Sequence, residues 1–294
     1  MVKKETYEKI SPTAKFQAYI RTFTDIPFAK EIAAESLAKK DFEILAGKSA
    51  ESITTTTQFI PLWEARYKAT DQVIAQRSIT QVLEIAAGLS PRGLAMTENP
   101  NVVYVATDLP QILEEEKAIA EAMLAKLNIH RPNLHFRIAS ALDRKSLLEV
   151  ATLFQSSKPI AIITEGLLPY FSREEKETLA GNIHDLLKKY NGIWITSDVP
   201  TKQSWEKISQ RDESMRQRIR NISRVTERNI ENNVFADEKD MRQFFTKVGF
   251  AIEEYPHSNV IENLSSVKFS NLSRQEILDM LRVAKTVILT PRDT

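Results

Sequence analysis

The chain has 294 residues, with only seven glycines and no cysteine; average usage would give about twenty glycines. That scarcity excludes a collagen-like repeat, a Gly/Ser linker and a Walker A loop, while the lack of cysteine excludes disulfides, Fe–S clusters and Cys-ligated zinc. A net charge of +1 from 40 basic and 39 acidic side chains carries no global nucleic-acid or membrane signal, and the four histidines, at 130, 135, 184 and 257, lack metal-site spacing, so no metal is expected.

Met1 to Phe16 alternates Lys and Glu without an apolar segment, and no run approaches the roughly 18 apolar residues of a membrane span. The expectation is a soluble cytoplasmic protein with no membrane and no nucleic acid among its partners. Residues 1–78 are helical and amphipathic in pattern, as in Phe28 to Leu37, and are expected to form an N-terminal helical extension. From Gln81 the texture changes. Short apolar, β-branched runs at 82–87, 102–107, 134–139, 160–164 and 193–197 alternate with longer helical segments. Near-continuous apolar strands imply a sheet covered on both faces.

The intervening helices carry readable signals. Leu109 to Asn128 has Pro110 in its first turn and Lys126 near its end. Ser172 to Glu175 forms a capping box for a helix ending at Asn191-Gly192. Strands alternating with helices predict right-handed βαβ units in a doubly wound α/β sheet, whose ligands bind outside the carboxyl ends of the strands.

Residues 200–236 break the rhythm as a polar insertion with Arg216, Arg220, Arg224 and Arg228 spaced by four, which is one helix face. The stripe fits a solvated or partner-facing surface, or a lid over the strand ends that attracts an acidic acceptor. A helix from Asp237 to Lys247, a strand from Phe250 to Tyr255, a helix from Ser273 to Leu281 and a strand from Lys285 to Thr290 follow. The seven strands are expected to form a mostly parallel sheet with an antiparallel last strand, the final two being joined by a short connection. The domain expected over 79–294 thus carries a helical lid at about 200–236.

Chemistry concentrates at strand ends. The first strand runs into Glu84-Ile-Ala-Ala-Gly88, where a small-residue turn lets backbone approach a ligand or is simply a tight turn. As a dinucleotide fingerprint it fails, because the glycine positions would fall on Ala86, Gly88 and Pro91. Asp108 ends the second strand twenty residues beyond Gly88, the separation of an acid that binds ribose hydroxyls; it could equally cap the following helix. Ser140-Ala141-Leu142-Asp143 follows the third strand, and Glu165-Gly166-Leu167-Leu168-Pro169-Tyr170-Phe171 follows the fourth. Glu165 closes an apolar strand, so it either finds a donor partner or sits in water at an edge.

These segments, together with Ala106-Thr-Asp-Leu-Pro110 and Lys247-Val-Gly-Phe250, resemble class I S-adenosylmethionine-dependent methyltransferases. More narrowly the chain is similar to the leucine carboxyl methyltransferase branch, including its TcmP-like O-methyltransferases, over roughly residues 58–290. The turn departs from the common Glu-x-Gly-x-Gly-x-Gly, with Ala86 and Ser90 at two glycine positions. The resemblance implies a Rossmann-like methyltransferase fold and S-adenosyl-L-methionine as cofactor. It implies Asp108 on the ribose, Gly88 and Glu84 at the turn, Ala141 and Leu142 beside the adenine, Glu165 facing the ammonium and Arg66 on the carboxylate. Arg66 is otherwise a solvated helix residue, and Arg92 is expected to hold the turn to Glu84. Trp63, Tyr67, Tyr170 and Phe171 are the rings available to a sulfonium, with Tyr170 also the candidate acceptor contact.

The function so implied is O-methylation of a carboxylate, or of a hydroxyl, on a small molecule or peptide end. No catalytic residue is assigned, and an acidic acceptor would suit the arginine stripe. A non-catalytic nucleoside-binding protein of the same fold and an NAD(P)-dependent oxidoreductase are the alternatives; the latter lacks an evident Tyr-x-x-x-Lys. Oligomeric state is not encoded in any motif.

Overall fold

A computed structural model describes residues 11–46, 57–211 and 213–292. The Lys/Glu-rich start before Ser11 and Gly47 lie outside them, as does the side chain of Arg216. Among the described residues, four helices precede the sheet: α1 (Ser11–Arg21), α2 (Ala29–Glu35), α3 (Ala38–Ala46) and α4 (Ile60–Gln76). The sheet region follows as β1 (Gln81–Ile85), α5 (Arg92–Met96), β2 (Val103–Asp108), α6 (Pro110–Leu127), β3 (Leu134–Ile138), α7 (Arg144–Val150), β4 (Ile160–Thr164), α8 (Arg173–Tyr190) and β5 (Ile193–Thr196). Beyond it come α9 (Lys202–Arg211), α10 (Glu213–Thr226), α11 (Glu238–Val248), β6 (Phe250–Pro256), α12 (Arg274–Val283) and β7 (Lys285–Pro291).

The seven strands form one sheet in the order β3-β2-β1-β4-β5-β7-β6. Strands β1 to β5 pair in parallel, and β7 runs antiparallel to both β5 and β6. The strand order reverses between β1 and β4, and ligands of open α/β sheets bind at such a switch point. Every residue of β1 and β4 is buried, as unbroken apolar sequences require of strands with helices on both faces. On one face, Val73 and Ile74 of α4 pack with Val82, Ala161, Ile163 and Ile195. On the other, Leu83, Ile162 and Trp194 pack with Leu179, Ile183 and Leu187 of α8.

Helix ends follow the sequence signals. Ser172 and Glu175 form the capping box of α8, Asn191 closes it in the left-handed conformation at φ 50°, and Pro110 opens α6. The link between β6 and β7 is long, contrary to the short connection expected from sequence. Residues 257–284 hold two 3-10 turns, His257–Asn263 and Ser266–Phe269, and then α12. Their apolar side chains Val260, Ile261, Leu264, Ile277 and Leu281 cover Ala65 and Ala69 of α4, which accounts for the length. The N-terminal helices settle over the switch point: Ala18, Ile32, Ala33 and Ala38 pack with Leu89, Leu94, Ile119 and Met123. No helix among the described residues is long and apolar enough to cross a membrane.

Candidate active site

A cavity of about 340 Å³ opens at the carboxyl ends of β1 to β5, roofed by α1, α4 and the 200–236 insertion. Its size is within the range of small-molecule sites, roughly 300–1,000 Å³. Of the residues singled out from sequence, Arg66, Gly88, Asp108, Ala141, Leu142, Glu165 and Tyr170 line it. Glu84 does not. Its buried carboxylate lies behind the turn, where it accepts a hydrogen bond from Arg92 Nη1 at 2.7 Å and another from the Tyr104 hydroxyl.

The turn after β1 is built for close approach. Ala86 and Gly88 both have left-handed backbones, at φ 56° and 61°, and a Cβ on Gly88 would meet the Ala14 Cβ of α1 at 3.3 Å. A side chain there would be strained as well as crowded. Asp108 fixes the turn from β2: its carboxylate accepts the Gly88 N–H at 2.9 Å and the Leu109 N–H at 2.7 Å. The helix-cap alternative for Asp108 fails, because Leu109 occupies that position in extended backbone without a side-chain cap. Burial pushes the Asp108 carboxyl up to about 6, against the pull of the Leu109 and Gly88 amides.

Glu165 is neither in water nor alone. Its carboxylate meets Arg92 Nη2 at 3.0 Å, Arg66 Nη2 at 3.2 Å and Arg21 Nη2 at 3.4 Å. Burial would raise this carboxyl, but the guanidiniums of Arg66, Arg92 and Arg21 outweigh it and hold the group well below the usual carboxylate range. Arg92 is fully buried and also contacts Asp71 at 2.7 Å through Nε. Burial pushes the Asp71 carboxyl up to about 6, against the pull of Arg92. Three guanidiniums thus face Asp71, Glu84 and Glu165. Tyr67 belongs to this cluster and not to the cavity wall, its ring 4.0 Å from the Arg92 guanidinium and 5.6 Å from that of Arg21. Arg21 escaped the reading of the sequence, although Thr13, Gln17 and Arg21 recur every four residues and all face the cavity. Arg66 Nε, buried beside the cavity, has no hydrogen-bond partner.

The profile of the leucine carboxyl methyltransferase family matches residues 14–184, from α1 through most of α8. The chain belongs to this family. Among curated relatives, a protein of Mycolicibacterium gilvum named as an S-adenosyl-L-methionine-dependent methyltransferase is 22% identical over 240 residues, covering 80% of this chain and 76% of its own length. A protein of Mycobacterium tuberculosis H37Rv with the same description is 26% identical over 184 residues, 59% of this chain and 54% of its own. Two crystal structures share the fold at 16% identity and a TM-score of 0.52. One, described as a methyltransferase from Thermobifida fusca YX, covers 86% of this chain and 93% of its own; the other, a DUF574 family protein from Streptomyces avermitilis, covers 96% and 97%. The protein is a methyltransferase that depends on S-adenosylmethionine, and the oxidoreductase alternative gives way to that assignment.

Away from the charged cluster the methyltransferase cavity is apolar. Phe16 and Trp63 meet edge to face with ring centroids 6.0 Å apart, and Trp205, Ile219, Ile222 and Ile230 close the far side from the insertion. Among the described residues of the insertion, Arg220 and Arg224 are exposed and Arg228 pairs with Glu175 at 3.1 Å, while Ile219, Ile222 and Ile230 face the cavity. The foot of the insertion is tied to the Glu165–Phe171 segment: Lys176 Nζ donates to the carbonyls of Phe171, at 2.7 Å, and Asn233, and Asn233 Nδ2 donates to the Pro169 carbonyl at 3.1 Å. Burial lowers the Lys176 ammonium to about 8. Among the described residues, no group of three His, Cys, Asp or Glu side chains is placed to hold a metal ion.

Proposed function

We propose that the protein transfers the methyl group of S-adenosylmethionine to a carboxylate oxygen of an acceptor enclosed between the N-terminal helices and the insertion. The cofactor, when bound, supplies a sulfonium-activated methyl group. Asp108 would accept the ribose hydroxyls, with Gly88 letting backbone lie against the nucleoside and Ala141 and Leu142 bordering the base. Arg66, whose buried Nε has an unmet hydrogen, would receive the amino-acid carboxylate beside Arg21. Glu165 fixes both guanidiniums and offers negative charge to the ammonium.

One observation carries the choice of a carboxylate over a hydroxyl. The titratable side chains among the described cavity-lining residues are Arg21, Arg66, Asp108, Glu165, Tyr170 and Asp198, with no histidine or lysine. All three carboxylates are already engaged, by backbone amides or by guanidiniums. The Tyr170 phenol is raised by burial and is no base. A hydroxyl acceptor, with its proton held to about pH 10 or above, needs a free base; a carboxylate with a pKa of about 4 is ionised already. The residues of the chain then have to align the acceptor and exclude water. Tyr170, in the cavity wall, is the proposed acceptor contact.

Incubation with tritiated S-adenosylmethionine and a panel of small organic acids, phenols and carboxyl-terminal peptides tests this. The expected product loses its label as volatile methanol in mild alkali, as a methyl ester does. Label that resists alkali would make the product an ether and overturn the carboxylate assignment, and no transfer to any acceptor would favour a non-catalytic binder.

A further inference from the structure

The carboxylate of Asp198 is spent on a single neighbouring segment. Asp198 follows β5 by two residues, is 4% exposed and borders the cavity. Its Oδ1 accepts the N–H of Gly166 at 2.8 Å, and its Oδ2 accepts those of Leu167 at 2.7 Å and Leu168 at 3.3 Å. Its own N–H is anchored on Thr196 Oγ1 at 3.1 Å. Three successive amides converging on one buried carboxylate fix the direction in which the chain leaves β4. Gly166 adopts φ +75° in that segment, a conformation with little stability of its own for other residues. Directly before it stands Glu165, the hub of Arg21, Arg66 and Arg92.

We infer that Asp198 is a positioning residue for the cofactor's amino-acid end, acting through the backbone of 166–168 to hold Glu165 and, through Glu165, the guanidiniums of Arg66 and Arg21. The inference rests on the cofactor placement proposed above. It separates the two ends of that site. The nucleoside end is built on the ends of β1, β2 and β3 by Gly88, Asp108, Ala141 and Leu142, none of which bonds to Asp198. The amino-acid end is built on β4 and β5. Loss of the Asp198 carboxylate leaves three amides in a buried site without an acceptor, and an asparagine there would turn an NH₂ toward at least one of them.

Calorimetric titration of S-adenosylhomocysteine and of adenosine into the wild type and Asp198→Asn tests this, because adenosine lacks the amino-acid end. The expected result is a loss of about tenfold or more in S-adenosylhomocysteine affinity, with adenosine affinity unchanged. Gly166→Ala provides a second variant if Asp198→Asn does not fold. A Cβ there meets no protein atom within 4 Å but strains the +75° backbone that Asp198 holds, and it should show the same ligand-selective loss on a smaller scale. Equal losses for both ligands, or none, would overturn the positioning role. Failure of the wild type to bind either ligand would instead overturn the cofactor placement itself.

Discussion

Arg92 Nη2 stands 3.0 Å from Glu165 Oε2, joining the helix that follows β1 to the residue just after β4 across the switch point of the sheet. Arg92 is fully buried and also holds Glu84 and Asp71. Removing Arg92 leaves the buried Glu84 carboxylate as an uncompensated charge. Arg92→Met should therefore cost about 3–5 kcal/mol, read as a fall in the denaturant midpoint at unchanged slope. A loss below about 1 kcal/mol, the range of exposed pairs, would show that the cluster is solvated.

A buried carboxyl elsewhere works against the fold as pH rises. Glu116 on α6 lies among Ile32, Leu89, Leu94 and Ile119 beneath the turn, and its Oε2 has no partner. Burial, reinforced by Glu84 and Asp108, drives its carboxyl well above the ordinary range. The unfolded chain releases this proton near pH 4.3 or so, while the folded chain retains it far higher. Deprotonation therefore favours the unfolded state as pH rises above that value. Glu116→Gln, which does not titrate, should melt close to the wild type at pH 4 and above it at pH 8, by an amount worth about 1–3 kcal/mol. A difference that shrinks with rising pH would contradict the buried neutral carboxyl.

Much of this site was legible because acids ending apolar parallel strands are conspicuous. Asp108 and Glu165 stand out in that way, and the cavity brings them to one wall. Asp198 obeys the same pattern after β5 and passed unnoticed, since only a strand order placing β5 beside β4 shows that it meets the 166–168 amides. Arg21 was invisible for a different reason: nothing local tells which face of a short amphipathic helix turns toward a strand end 144 residues away. Arg220 and Arg224 fit the solvated reading of the arginine stripe; helical spacing identifies a face but not its direction, and the face with Ile219 and Ile222 is the one the cavity uses. The link from β6 to β7 was misjudged because its apolar residues serve α4 instead of the sheet.

Asp108 gives binding a pH dependence of known sign. Its carboxyl is pushed up to about 6, so the ionised form, which is proposed to accept the ribose hydroxyls, prevails above that pH and is lost below it. Between pH 7 and pH 5, S-adenosylhomocysteine affinity should fall by about tenfold. Asp108→Asn should bind more weakly at pH 7 and lose this pH dependence. A wild-type affinity that is flat or rises toward pH 5 would refute the role of the carboxylate.

The two-faced insertion separates acceptor effects from cofactor effects. Ile222→Asp places a charge in the apolar wall and should lower kcat/KM for the acceptor by about a hundredfold, a barrier of roughly 3 kcal/mol, with S-adenosylhomocysteine affinity within twofold or so of the wild type. Arg220→Ala and Arg224→Ala, on the exposed face, should leave both unchanged. Reduced turnover in the arginine variants alone would mean that the insertion draws in an acidic acceptor after all.

One cavity is proposed to hold S-adenosylmethionine between Asp108 and Arg66. The most direct test is calorimetric titration of S-adenosylhomocysteine into the wild type, Asp108→Ala and Arg66→Ala. The expected result is one site per chain in the wild type and affinity lowered by at least about tenfold in each variant, worth about 1.4 kcal/mol. Wild-type protein that takes up no heat of binding, or variants that bind as tightly as it does, would contradict it.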